Sequence, residues 1–83
     1  EKGISILRNI AAAEPTVEKR DNLAMWCNQA AVALKGNLEA QNKYWKECSS
    51  IWIDIFENAT DKTLKKEFKK KYKYSKMLRF LNP

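Results

Sequence analysis

The chain has 83 residues and a mass of 9.7 kDa, which is enough for one domain with a single core. A hydrophobic fraction of 45% with nine aromatic residues predicts a packed interior and disfavours disorder. The absence of histidine, with only two cysteines and two glycines, removes the usual acid/base residue, the common zinc-ligand sets and glycine-rich phosphate loops. We therefore expect a binding protein without catalysis, cofactor or metal site.

The basic residues are unevenly distributed along the chain. The formal net charge is +6 and the isoelectric point is about 9.5. Residues 1–60 carry seven basic and eight acidic side chains, whereas residues 61–83 carry nine basic and two acidic ones. The whole positive excess therefore lies in the last quarter of the sequence. No stretch approaches the roughly 18 consecutive apolar residues of a membrane span, so we expect no transmembrane segment.

The apolar pattern predicts helices throughout. Spacings of three and four residues recur in every segment, and no sustained apolar/polar alternation indicates a strand. We expect an all-α fold, a compact bundle of four or five short-to-medium helices that forms one domain over residues 1–83. The first helix runs from about Ile4 to Ala13, and Pro15 ends it; the side expected to pack carries Ile6, Leu7, Ile10 and Ala13.

The second and third helices are expected to form the centre of the bundle. The second begins at Pro15 or Thr16, ends at Gly36 and is apolar on nearly all sides. Gly36 and Asn37 form a turn, and the third helix continues to about Asn58. The predicted core, built on this pair of helices, consists of Leu23, Trp26, Leu34, Trp45, Trp52, Ile55 and Phe56.

The last part of the chain, residues 61–81, is predicted to be a strongly basic helical segment. Thr60 or Asp61 caps a fourth helix, and the apolar line on that helix is Leu64, Phe68 and Tyr72. The apolar positions then change phase, which predicts a break near Ser75 and a short fifth helix. A single bent helix would give the same pattern.

Cys27 and Cys48 are predicted to be neighbours, because both lie at similar distances from the turn of an antiparallel hairpin. One interpretation is a pair of reduced core thiols, since free cysteine packs as a small hydrophobe. The other is a disulfide that joins the two helices and requires an oxidising compartment. Reduced thiols favour an intracellular location, and nothing else in the sequence bears on localisation.

The basic segment is the strongest functional signal. Six of its lysines fall within a sector of about 100° on a straight helix, where a positive stripe suits a polyanion. The candidate nucleic-acid contacts are Lys62, Lys65, Lys66, Lys69, Lys70, Lys73, Lys76 and Arg79. Because lysine is a point charge and base reading favours arginine, we expect phosphate contacts to DNA or RNA with little sequence preference. Tyr74 and Phe80 are candidates for stacking on unpaired bases.

Three other interpretations use the same residues. The stripe could be a solubilising face without a ligand. A basic amphipathic helix also binds anionic membranes or a calcium-sensor groove, with Phe68, Tyr72, Met77 and Leu81 as anchors. Finally, the chain could be a protein interaction module that docks an acidic or apolar-groove partner, using the stripe together with Met25, Trp26, Val32 and Ile53.

Overall fold

The structure, a computed structural model, describes the backbone of residues 2–81 and the side chains of residues 3–77. Over that range the chain forms four α-helices and no β-strand. The helices are α1 (Lys2–Ala13), α2 (Val17–Ala33), α3 (Leu38–Asn58) and α4 (Lys62–Leu81). The predicted all-α bundle is confirmed.

Side-chain caps define where three of the helices begin. Thr16 Oγ1 accepts a hydrogen bond of 3.2 Å from a backbone N–H in the first turn of α2. Asn37 Oδ1 caps α3 in the same way at 3.2 Å, and Asp61 Oδ1 caps α4 at 2.8 Å. Gly36 has φ of 101°, the left-handed conformation that glycine adopts without steric cost and that turns the chain from α2 into α3. The predicted helix starts were therefore correct to within about two residues.

Helix α3 occupies the middle of the bundle. Helices α2 and α4 both pack along α3, and α1 packs against α2. The Cα atoms extend over 38 × 27 × 13 Å, so the bundle is a flat slab. The buried apolar residues of the described chain are Ile4, Ala11, Leu23, Ala24, Cys27, Ala31, Tyr44, Trp45, Cys48, Trp52, Ile55 and Phe68. Leu34, Phe56, Leu64 and Tyr72 are partly buried against them, as the predicted stripes require.

The predicted core face of α1 was wrong. Ile4 and Ala11 are buried and Leu7 is half-buried, whereas Ile6 is 53% exposed and Ile10 is 42% exposed. Ile4, Leu7 and Ala11 are themselves spaced by three and four residues, so two apolar lines compete on this helix. Because α1 rests mainly on α2, it buries only the narrower of those lines.

The predicted burial of Trp26 was also wrong, since its side chain is 53% exposed. Leu23, Cys27 and Ala31 turn toward α3, and Trp26 lies on the neighbouring side of α2, beside Ile4 and Leu7 of α1. A flat slab has fewer enclosed positions than a cylindrical bundle of the same length. One side of an apolar helix in the slab therefore stays in solvent.

The predicted break near Ser75 does not occur, because α4 is one continuous helix to Leu81. Ser75 is fully buried inside the helix, and its hydroxyl donates a hydrogen bond of 2.9 Å to the Tyr72 carbonyl. The same hydroxyl lies 3.0 Å from the Ser49 hydroxyl of α3. Ser75 thus joins two helices and does not cap a new one.

Candidate nucleic-acid interface

The lysine face is defined as Lys62, Lys65, Lys66, Lys69, Lys70, Lys73 and Lys76 of α4. All seven side chains are exposed. The helix is continuous over this range, so six of them share a sector of about 100° and Lys70 lies about 40° beyond its edge. The core-facing residues Leu64, Phe68 and Ser75 occupy a different side of the helix. The structure therefore brings the predicted lysines together on one flank.

The acidic residues of α3 do not neutralise the lysine face. Glu47 accepts two hydrogen bonds of 2.8 Å from the Arg8 guanidinium. Asp54 accepts one of 2.5 Å from Arg20. Among the described side chains, no carboxylate lies within salt-bridge distance of any lysine-face residue. No described carboxylate therefore neutralises any of these seven ammonium groups.

Lys71 is the lysine of α4 that belongs to the core side. Its ammonium donates a hydrogen bond of 2.8 Å to Asp21 Oδ2 of α2 and lies 3.9 Å from Glu67. It also lies 4.8 Å from the ring centroid of Phe68. Lys71 was not among the predicted contacts, and the structure gives it a packing and ion-pair role on the opposite side of the helix.

One aromatic residue that the sequence assigned to the core opens into the lysine face. Phe56, near the end of α3, is half-buried and lines a groove of about 360 Å³ with Lys62, Lys65, Lys66 and Lys69. The Lys65 ammonium lies 5.3 Å from the Phe56 ring centroid, within cation–π distance. Position 56 is two residues before the end of α3 and position 65 is three residues after the start of α4, so the two lie at similar distances from the turn. The hairpin reasoning applied to the cysteines would therefore have found this pair.

Of the two residues predicted to stack on bases, Tyr74 and Phe80, the structure describes the side chain of Tyr74. Tyr74 is 52% exposed and lies about 40° around the helix from Lys70, at the edge of the lysine face. Arg79 and Phe80 lie outside the described side chains, and their predicted roles stay predictions. Phe68 is only 1% exposed, so it is not free to anchor the helix in a membrane or a partner groove.

Cys27 and Cys48 are both buried free thiols in the structure, and the disulfide between them stays a prediction. The pKa of Cys27 is raised to about 12. Burial is the largest cause, and electrostatic repulsion from Glu47 and Cys48 raises it further. Burial also raises the pKa of Cys48 to about 11. Thiols with such pKa values are protonated at neutral pH and are poor nucleophiles and metal ligands.

No helix within the described residues combines the length and apolar character needed to cross a membrane. The described side chains also contain no group of three or more His, Cys, Asp and Glu residues placed to share a metal ion.

In comparisons with known proteins, the chain matches no family model, no curated protein sequence and no solved structure. Its function is therefore inferred from the charges and contacts of the chain itself.

Proposed function

We propose that the chain is a non-catalytic binding domain that contacts nucleic-acid phosphates through the lysine face, with little sequence specificity. The observation that carries this proposal is the set of seven exposed lysines without an ion pair among the described residues. Each phosphate that a lysine neutralises releases condensed counterions, which drives binding without reading any base.

The spacing of the lysines gives a second argument. Within the lysine face, four pairs of lysines are three residues apart and four pairs are four residues apart. The two lysines of each pair are therefore neighbours on the helix surface. Like charges at these spacings repel, and a solubilising face normally mixes signs to avoid that cost. A bound polyanion relieves the repulsion, which favours a ligand-binding role over mere solubility.

The test measures binding of fluorescein-labelled DNA and RNA of mixed sequence by anisotropy at 50 and 200 mM salt. With about five phosphate contacts, affinity should fall on the order of 10²–10³-fold between the two salts. The variant K65E/K66E/K69E should lose binding at both salts, because it reverses three charges beside the groove.

The matched control is K35E/K43E/K46E, which changes three exposed lysines outside α4 and alters the net charge equally. It should retain most of the binding at 50 mM salt. Weak binding at both salts that neither triple variant changes would refute the proposal. Equal losses in the two variants would show that net charge alone, without a defined face, is responsible.

A second candidate function is a protein interaction module, and a separate surface favours it. Ile6 and Ile10 of α1 and Met25, Trp26 and Val32 of α2 are each at least 42% exposed. An apolar cavity of about 590 Å³ lies between these two helices. Poly-glutamate provides the discriminating probe. Tight binding of poly-glutamate, with neither DNA nor RNA bound, would favour an acidic protein partner on the lysine face.

A further inference from the structure

Phe56 combines an aromatic ring with the densest part of the lysine face. The ring lies on the core side of the groove, and the Lys65 ammonium is 5.3 Å from its centroid. A ring face that accommodates an ammonium group is directed out of the core. Lys65 is a flexible side chain, so it can leave the ring when a better partner arrives.

The groove offers two kinds of contact at once. Lys62, Lys66 and Lys69 supply cations around the same cavity in which Phe56 supplies an aromatic surface. A polyanion without flat rings, such as an acidic peptide, binds the lysines but makes no stacking contact with the Phe56 ring. A nucleotide uses both, since its phosphate meets an ammonium while its base stacks on an aromatic side chain.

The aromatic surface of the groove favours a single strand over a duplex, because stacking requires a free base face. The groove volume of about 360 Å³ lies near the lower end of the range for small-molecule sites, which suits one planar group. In a duplex the faces of the bases are covered by their neighbours, and a base reaches a side pocket only if it is flipped out at a cost of a few kcal/mol. An unpaired strand avoids that cost.

We infer that the groove at the start of α4 binds single-stranded nucleic acid, with one base stacked on Phe56 and the flanking phosphates on Lys62, Lys65, Lys66 and Lys69. This inference rests on the proposed function and adds that the nucleic acid is single-stranded. On binding, Lys65 moves from the ring to a phosphate. The contact carries no sequence code, because every base has a flat face.

The test compares F56L with the unaltered chain on 12-nucleotide single strands, on the corresponding duplex and on poly-glutamate. Leucine keeps apolar bulk at a half-buried position and removes the ring. We expect F56L to weaken single-strand binding about 10-fold and to leave duplex affinity and salt dependence unchanged. W26L is the matched control, since Trp26 is an exposed aromatic residue on α2, away from the lysine face, and W26L should bind normally.

A second measurement keeps the inference testable if F56L folds poorly. Irradiation at 254 nm of the unaltered chain with a uracil-rich strand should attach the strand to the peptide that contains Phe56. Attachment confined to other peptides would overturn the inference, as would equal loss of single-strand and duplex binding in F56L.

Other outcomes distinguish a failure of base stacking on Phe56 from a failure of nucleic-acid binding as a whole. Salt-dependent binding that K65E/K66E/K69E abolishes and F56L leaves unaltered would refute stacking while the lysine contacts stand. Absence of binding to every nucleic acid would refute the proposed function itself. Poly-glutamate that competes as well as a single strand of equal charge would show that the Phe56 ring adds nothing to binding and would overturn the inference.

Discussion

The thiol of Cys27 lies beside the Glu47 carboxylate, which is itself hydrogen-bonded to Arg8. Glu47 raises the pKa of Cys27, and the same carboxylate accepts two hydrogen bonds of 2.8 Å from Arg8 of α1. Cys48 donates a hydrogen bond of 3.4 Å to the Trp45 carbonyl within α3. Both sulfur atoms are therefore integrated in the packing between α2 and α3, where deprotonation would bury a charge.

The raised pKa values predict that alkali destabilises the fold. The ordinary pKa of 9.0 applies in the unfolded chain, whereas the folded values are about 12 for Cys27 and about 11 for Cys48. Above pH 9 the unfolded state loses these protons first, so the free energy of unfolding should fall as pH rises. The slope should approach about 1.4 kcal/mol per pH unit for each thiol. Urea unfolding measured between pH 8 and 10 checks this.

The control for the thiols is the variant C27A/C48A, whose stability should depend less on pH above 9. In the unaltered chain at pH 8, both thiols should react with a disulfide reagent only after urea unfolds the protein. Reaction of the folded chain at the rate of a free thiol would contradict the burial of Cys27 and Cys48.

At the level of single residues, the sequence predicts burial well where a helix has one apolar side and poorly where it has two. Trp45, Trp52 and Ile55 were correctly placed in the core because α3 has a separate charged side. Trp26 was misplaced because α2 is apolar almost all round, so its exposed side depends on where α1 packs. Where α1 packs on α2 is set only when the whole bundle assembles, and no local sequence pattern predicts it.

At the level of the helices, Asp21 joins α2, α3 and α4. Its Oδ1 accepts a hydrogen bond of 2.9 Å from the Trp52 indole N–H, and its Oδ2 accepts one of 2.8 Å from Lys71. The Asp21 side chain is only 20% exposed, and Trp52 is 3% exposed. The carboxylate therefore satisfies a buried donor and an ion pair at the same point.

We expect D21A to destabilise the protein by about 2–3 kcal/mol, because it leaves the Trp52 indole N–H without its acceptor and Lys71 without its main partner. D21N should cost less, about 1 kcal/mol, since its amide oxygen can still accept from Trp52. The matched control E57A removes an exposed carboxylate and should change stability by less than about 0.5 kcal/mol. Urea unfolding monitored by tryptophan fluorescence measures all three.

Equal effects of D21A and E57A would show that the link between the three helices contributes little. Sequence reasoning did not identify Asp21, because a single aspartate on a long helix resembles any solvated charge. The helix caps at Thr16, Asn37 and Asp61 are different, since their signals are local and their positions followed from the sequence.

At the scale of the whole molecule, the positive excess is concentrated on one helix, α4. In the first three helices the basic and acidic side chains balance in number, and some of them form ion pairs, as Arg8 with Glu47 and Arg20 with Asp54 illustrate. Helix α4 keeps its surplus on one flank. The sequence predicted this separation, because charge count and helical period are both local quantities. The contribution of Phe56 was not predicted, because the hairpin reasoning that places it beside Lys65 was applied only to the cysteines.

The unpaired lysine face should make stability rise with ionic strength. Eight like-charged pairs on α4 each cost about 0.2–0.5 kcal/mol at low salt, and their separations are well below the Debye length of about 30 Å at 10 mM salt. Salt also weakens ion pairs, but the Arg8–Glu47 and Lys71–Asp21 pairs are partly buried and therefore less screened. We expect the free energy of unfolding to increase by about 1–2 kcal/mol between 10 and 200 mM sodium chloride.

The variant K65E/K66E/K69E should abolish that dependence. Four of the eight pairs become attractive, through Lys62, Lys70 and Lys73, and four stay repulsive, so the variant should be more stable than the unaltered chain at 10 mM salt and gain nothing from added salt. K35E/K43E/K46E again serves as the control with equal net charge and should retain the rise. If the stability of the unaltered chain does not rise with salt, the lysines do not repel one another, and the electrostatic reason for a polyanion ligand is removed.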